Sequence, residues 1–439
     1  MKKNNWFSQI GFLIFIIIAI IHFYYIVTNV VDVPHMDEWN FFFAKYLSTD
    51  FSIRWLFSLH NEHRIVLTKL YTILLFHLNR WDISIQIILN FLFFLCLIIS
   101  LVYVLRKTIQ IPLNILWIMC IPLLSPIVYE NHLWGFQSQF HFFLFALIWS
   151  SYLFLKSLEV RHVNYFYLSG AVISALGVYS FSLGVICAMV VFAVFLYKQY
   201  LTKVPFKKLY IRLTIAMIPI VAILLWLIGF HKNPGHPDII FPWNIRFYTF
   251  YINIMSPSFG ITGVSLFKSL LSSFFVIGIT MHGLRKLRNS SEHRLWVPLT
   301  INLSILLSLA FVTIGRAGFD IEQAKSSRYA GISLFLFPTS LSILWILLED
   351  KSFLKIKYHF FLTALVILCF ANNFNFSIYR EIRRIRIDNL RCIADFLDGR
   401  IERANCPNSY IADITEQVKV ARDMGVSFTK NYKRIIDSN

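Results

Sequence analysis

The chain has 439 residues, 57% hydrophobic and only 15% charged, with a mean hydropathy of +0.63. A soluble domain carries roughly a quarter of its residues as charges, so this composition excludes a water-facing globule, which could not bury so much apolar surface. The net charge of +18 falls in short loops between apolar runs rather than in one basic, aromatic module, which argues against nucleic acid and for loops lying against anionic lipid.

A membrane-crossing helix needs about 20 apolar residues. Such runs lie near 7–29, 83–105, 112–129, 136–156, 163–180, 182–198, 209–230, 261–283, 295–315, 329–348 and 358–378. The expectation is an all-α, polytopic bundle of about eleven spans. The start, Met1-Lys2-Lys3, looks like that of a signal peptide, but no small-x-small cleavage site follows the first run, so it reads as an uncleaved first span. The run 163–198 is long enough for two spans and breaks near Ser180, Ser182 and Gly184. The segment 65–78 is shorter and contains Lys69 and His77, as suits an interfacial or re-entrant helix. Residues 1–378 form the membrane domain and 379–439 a soluble-looking tail. Within the tail, Ile382, Ile385, Leu390, Ile393 and Leu397 have the spacing of an amphipathic surface helix.

Loop cations set orientation. With the N-terminus in the cytoplasm, the inner loops hold Arg106, Lys107, Arg161, Lys198, Lys203, Arg285, Lys286, Arg294 and Lys351. The outer loops, 30–82, 130–135, 231–260 and 316–328, carry fewer, and an odd span count puts the tail outside. There Cys392 and Cys406 could pair; free thiols are the alternative.

Four polar clusters sit at the outer ends of apolar runs, where charges are costly unless used or paired. The first contains His35, Asp37 and Glu38, followed by Trp39, Asn40 and Phe41. Its acids are either a general base or cation site, or helix caps. The second is His60-Asn61-Glu62-His63-Arg64. Read as a helical turn, it would let His60 and His63 share a metal with Asp37 or Glu38; sugar hydrogen bonds or a Glu62–Arg64 pair are the plainer readings, and no metal is required. The third runs from Glu130 through Trp134, Gln137 and Gln139 to His141: amides bond hydroxyls and an indole stacks on a sugar, while inter-helix hydrogen bonds are the alternative. The fourth has Arg316, Gln323, Lys325, Arg328 and Tyr329. Its arginines match phosphate oxygens or pair with Asp320 and Glu322. No Walker loop, GxSxG or HExxH segment occurs, and no Rossmann fingerprint.

Asp37-Glu38-Trp39-Asn40-Phe41, placed directly after the first span, resembles the first outer loop of the C superfamily of integral membrane glycosyltransferases. That superfamily includes protein O-mannosyltransferases and the aminoarabinose transferases of lipid A. The segment His60 to Arg64 departs from the His-Pro-Pro-like turn of many such enzymes. The chain also resembles bacterial membrane proteins with Asp-Glu-Trp, Asn-Glu-His-Arg, Leu-Trp-Gly-Phe-Gln and Gly-Arg…Ser-Arg-Tyr segments, all four of which occur between residues 37 and 329. The resemblance implies a glycosyltransferase of the bacterial inner membrane, acting on its outer face without a cofactor. A polyprenyl-phosphate-linked sugar would be the donor and a lipid-linked or surface glycan, as in O-antigen modification, the acceptor. Asp37, or else Glu38, would be the base, and Arg316 and Arg328, with Arg64, would hold the lipid phosphate. A small flippase of the donor lipid would be a further partner. An O-antigen polymerase and a polytopic transporter or flippase are the competing classes.

Overall fold

The computed structural model describes residues 6–156, 164–201, 206–290, 292–349, 352–407 and 413–437. Lys2, Lys3, Arg161, Lys203 and Lys351 lie outside the described residues. Among the described residues the chain is helical, with no β-sheet. Lipid offers no water to an unpaired backbone group, so a spanning segment must bond its own N–H and C=O groups, as a helix does.

Among the described residues, eight helices are long and apolar enough to cross a membrane: Gln9–Asn29, Ile83–Ile109, Gly135–Leu155, Leu183–Leu201, Tyr210–Leu227, Leu266–Asn289, His293–Arg316 and Ser327–Leu347. This is a multi-pass membrane protein. The run at 112–129 is a pair of helical segments, Leu113–Leu124 and Pro126–Leu133, bent by 46°, and counts as a ninth crossing if taken as one. Pro122 and Pro126 each remove a backbone donor there, so a straight helix cannot pass. The two remaining runs lie in helices Asn164–Val178 and Ser352–Asn373; the first is short for a crossing. Segment 65–78 forms the short apolar helix Val66–Asn79.

The long run breaks at Ser180 and Ser182, and helix Leu183–Leu201 folds back against its predecessor. Gly184 makes this corner possible, because a Cβ there would collide with the Gly177 carbonyl. Lipid tails are as apolar as leucine, so helices in a bilayer associate through such close backbone approach rather than through water exclusion.

The first loop and the tail pack together. Asp82 caps helix Ile83–Ile109 by accepting from the Ile85 N–H at 3.2 Å, and buried Asp32 accepts from the Ile83 N–H at 2.9 Å. Both carboxylates face the positive end of the helix dipole. A 3-10 helix, Met36–Phe42, follows. The amphipathic helix expected in the tail is Ser377–Leu397, but it lies against the first membrane helix: Tyr379 Oη is 2.5 Å from His22 Nε2. Beyond it, Phe428 packs edge-on against Trp39 and Phe42, and the Ser427 N–H donates to the Arg80 carbonyl at 2.8 Å.

Cys392 and Cys406 form a disulfide across a separation of 14 residues. A loop of that size contributes roughly 3 kcal/mol. Cys392→Ser is therefore expected to release the tail to protease in native membranes well before the wild type. Equal protease resistance would show that packing alone holds the tail.

Candidate active site

The two adjacent acids have different surroundings. Glu38 is fully buried and both of its oxygens are engaged. Oε2 accepts from the His35 N–H at 2.8 Å, and Oε1 accepts from the Phe136 N–H at 2.9 Å. The capping role foreseen for one of the acids thus belongs to Glu38, which also ties the first loop to the turn at Gly135. Burial pushes its carboxyl up to about 7, opposed by the charge of Arg386 and by these two hydrogen bonds. Asp37 is only partly buried and faces out of the cap. Its Oδ2 is 3.8 Å from His60 Nε2, and it feels the positive field of Arg328. His35 sits edge-on to Trp134, and burial together with Arg386 pulls its imidazole down to about 3.

The segment 60–64 is not a helical turn. His60 and His63 exchange backbone hydrogen bonds, at 2.7 and 2.9 Å, across a tight reversal with Asn61 at φ 52°. Asn is among the residues that tolerate this left-handed region best. The reversal turns its first two side chains and its next two toward different cavities. His60 and Asn61 face a cavity in the loop layer, while Glu62 and His63 face one between the helices. The foreseen Glu62–Arg64 pair does not form. Glu62 instead bonds His236 Nδ1 and lies 3.7 Å from Arg316 Nη2. Arg64 donates to the carbonyls of Phe57, Trp226 and Ile228, which anchors the turn and leaves its guanidinium committed to backbone. His63 is held far below the ordinary imidazole range by burial first and by Arg316 second, so it stays neutral.

The other two clusters meet the first two at the same rim. Glu130 Oε2 accepts from the Arg328 N–H at 3.0 Å and lies 3.9 Å from Arg328 Nε. Arg316 and Arg328 are thus held by Glu62 and Glu130, not by Asp320 or Glu322. Arg316 stands over Phe319, and Arg328 over the ring of Tyr329. Trp134, Gln137 and Gln139 are buried, and among the described residues Trp134 Nε1, Gln137 Oε1 and Gln139 Oε1 have no hydrogen-bond partner. Gln323 is exposed on the short helix Ile321–Lys325.

A cavity of about 380 Å³ opens between the helices. Phe181, Val185, Ile186, Phe311 and Val312 form its apolar wall, and Lys232, His236 and Arg316 stand at the end where the helices stop. This combination suits an amphiphile with an anionic head.

Three participants were not legible from local sequence. His236 and Lys232 come from the loop after helix Phe206–Leu227 and join Glu62 and Arg316. Arg386 comes from the tail. Its side chain is buried, Nε and Nη1 lack a hydrogen-bond partner among the described residues, and its charge acts on Glu38. One signal was available: Arg386 falls one helical turn from Ile382, on the apolar stripe of the tail helix. Among the described residues, no three His, Cys, Asp or Glu side chains gather as a metal cluster. Compared with known proteins, the sequence matches no family model and no curated protein.

Proposed function

We propose that this membrane protein transfers a sugar from a polyprenyl-phosphate donor to a glycan on the outer face of the bacterial inner membrane. The observation that carries this reading is the apolar cavity between the helices, which ends at Arg316, His236 and Lys232 beside the turn whose other face carries His60, 3.8 Å from Asp37. A polyprenyl chain fits the lipid side of such a cavity, and its phosphate fits the cationic end.

In this mechanism Asp37 takes the proton of an acceptor hydroxyl. That oxygen attacks the anomeric carbon while the bond from this carbon to the phosphate oxygen breaks, and the configuration inverts. His60 orients Asp37. Arg316, with Arg328 behind it, stabilises the charge that grows on the departing lipid phosphate. Glu38 shapes the loop rather than moving the proton. The donor brings its own leaving group, so the reaction needs no nucleotide. The Cys392–Cys406 disulfide supports the outer-face orientation, because such bonds persist in oxidising compartments.

The test is mass spectrometry of surface glycans from cells with and without the gene. Loss of one sugar per repeat supports transfer. Collapse of chain length favours a polymerase, and unchanged glycans favour lipid transport. Within the transfer reading, Arg316→Met is expected to lower incorporation of that sugar by about 10²-fold at normal membrane abundance. Full incorporation would remove Arg316 from the phosphate site.

A further inference from the structure

The reversal at His60 and Asn61 also borders a second cavity, of about 280 Å³, on the loop side. Its walls are aromatic. Tyr46 and Trp55 are stacked with ring centroids 4.9 Å apart and planes 12° from parallel, and Phe43 is 59% exposed. Phe43 is not part of the hydrophobic core, so the exposed part of its ring is free to meet a ligand. Asn40 and His60 supply polar edges. Lys69 underpins the wall by donating to the Trp55 carbonyl at 2.6 Å and to the Ser58 carbonyl at 3.1 Å. The volume is at or below the bottom of the range of about 300–1,000 Å³ typical of drug-sized sites, a size for one sugar ring. A pyranose offers an apolar C–H face to aromatic rings and hydroxyls to an amide, which is the chemistry these walls complement.

A larger cavity, of about 950 Å³, shares Ser58, Leu59 and Asn61 with this one and continues past Arg54, Tyr179 and His231. We propose that the aromatic pocket binds the reacting sugar of the acceptor, and that the larger cavity takes the chain attached to it, so the acceptor is an extended glycan. Its hydroxyl would meet Asp37 past His60, on the opposite side of the turn from the lipid cavity. This assignment rests on the glycosyltransferase reading and adds to it where the acceptor lies and how large it is.

The probe is surface glycan isolated from the gene-deletion strain and labelled with a fluorophore at its reducing end. Its binding is measured to the purified full-length protein in nanodiscs. Phe43→Ala and Tyr46→Leu are expected to weaken binding about tenfold each, the cost of one lost aromatic contact. Arg316→Met should leave it unchanged. Fragments of a single repeat should bind more weakly than the intact chain. Phe43 is exposed, so its variant isolates contact from folding. Wild-type affinity in both aromatic variants overturns the pocket assignment, and equal affinity for fragment and chain overturns the extended acceptor. If deletion of the gene alters surface glycan but the native protein does not bind that glycan, the subsite fails while the transferase reading stands. If deletion leaves the glycan unchanged, the transferase reading fails and takes the subsite with it.

Discussion

Asp37→Asn is expected to abolish sugar transfer while the protein stays folded and abundant in the membrane. The substitution keeps the shape of the side chain and its place beside His60, at 3.8 Å, but an amide cannot accept the acceptor proton. General-base catalysis typically contributes about 10²–10⁴-fold, enough to take the modified glycan below detection. The same change at Glu38 acts differently. Glu38 accepts two backbone hydrogen bonds, and a glutamine can supply an acceptor to only one of them without turning its amide nitrogen toward a donor. Glu38→Gln should therefore reduce transfer partially, through misplacement of the loop. Glycan mass spectrometry with matched protein levels separates the two. Full transfer by Asp37→Asn would move the base elsewhere, with Glu38 the next group to examine.

The second large effect concerns stability, in Arg386→Met. Arg386 acts on buried Glu38 through its charge rather than through an ion pair within 4 Å, and removing that charge leaves a deprotonated Glu38 without compensation, which destabilises the fold. Glu38 can relieve this by taking up a proton, so the cost depends on pH. Its carboxyl is raised to about 7 in the folded protein, above its ordinary value. The folded state therefore binds the extra proton, and the stability linked to it is present at low pH and is lost as pH rises through 7. Without Arg386 the carboxyl rises further, and the loss extends to more alkaline pH. The variant should melt close to the wild type near about pH 5.5 and far below it near about pH 8.5. Glu38→Gln in the same background should remove most of that difference. Asp32, which burial and the charge of Asp82 also raise to about 7, leaves part of the slope in every variant. A pH-independent drop in melting temperature would mean that Arg386 acts through its bulk alone.

All four polar clusters could be read from the sequence, because a charge at the end of an apolar run stands out against its surroundings. Their convergence on one rim follows from the helices returning to the same side. What stayed hidden is who pairs with whom. Arg316 and Arg328 had acidic neighbours four and six residues away in Asp320 and Glu322, yet they meet Glu62 and Glu130. Hydropathy says where a loop lies, not which other loop it touches. The spacing of His60 and His63 fits a helix as well as a turn, and Asn61 decided for the turn. The division of labour between Asp37 and Glu38 depends on Phe136 and Arg386, one about a hundred and the other about 350 residues downstream, beyond the reach of local pattern reading.

The dependence of the loop around Glu38 on Arg386 and Phe428 also sets an order of events during synthesis. The loop near residue 37 emerges early, but the groups that complete it leave the ribosome only after every membrane helix has been inserted. A half-made chain therefore carries an unfinished loop as it is being threaded into the bilayer. The Cys392–Cys406 bond lies within this same late segment, so the part of the chain that completes the loop is also the part that carries its cross-link.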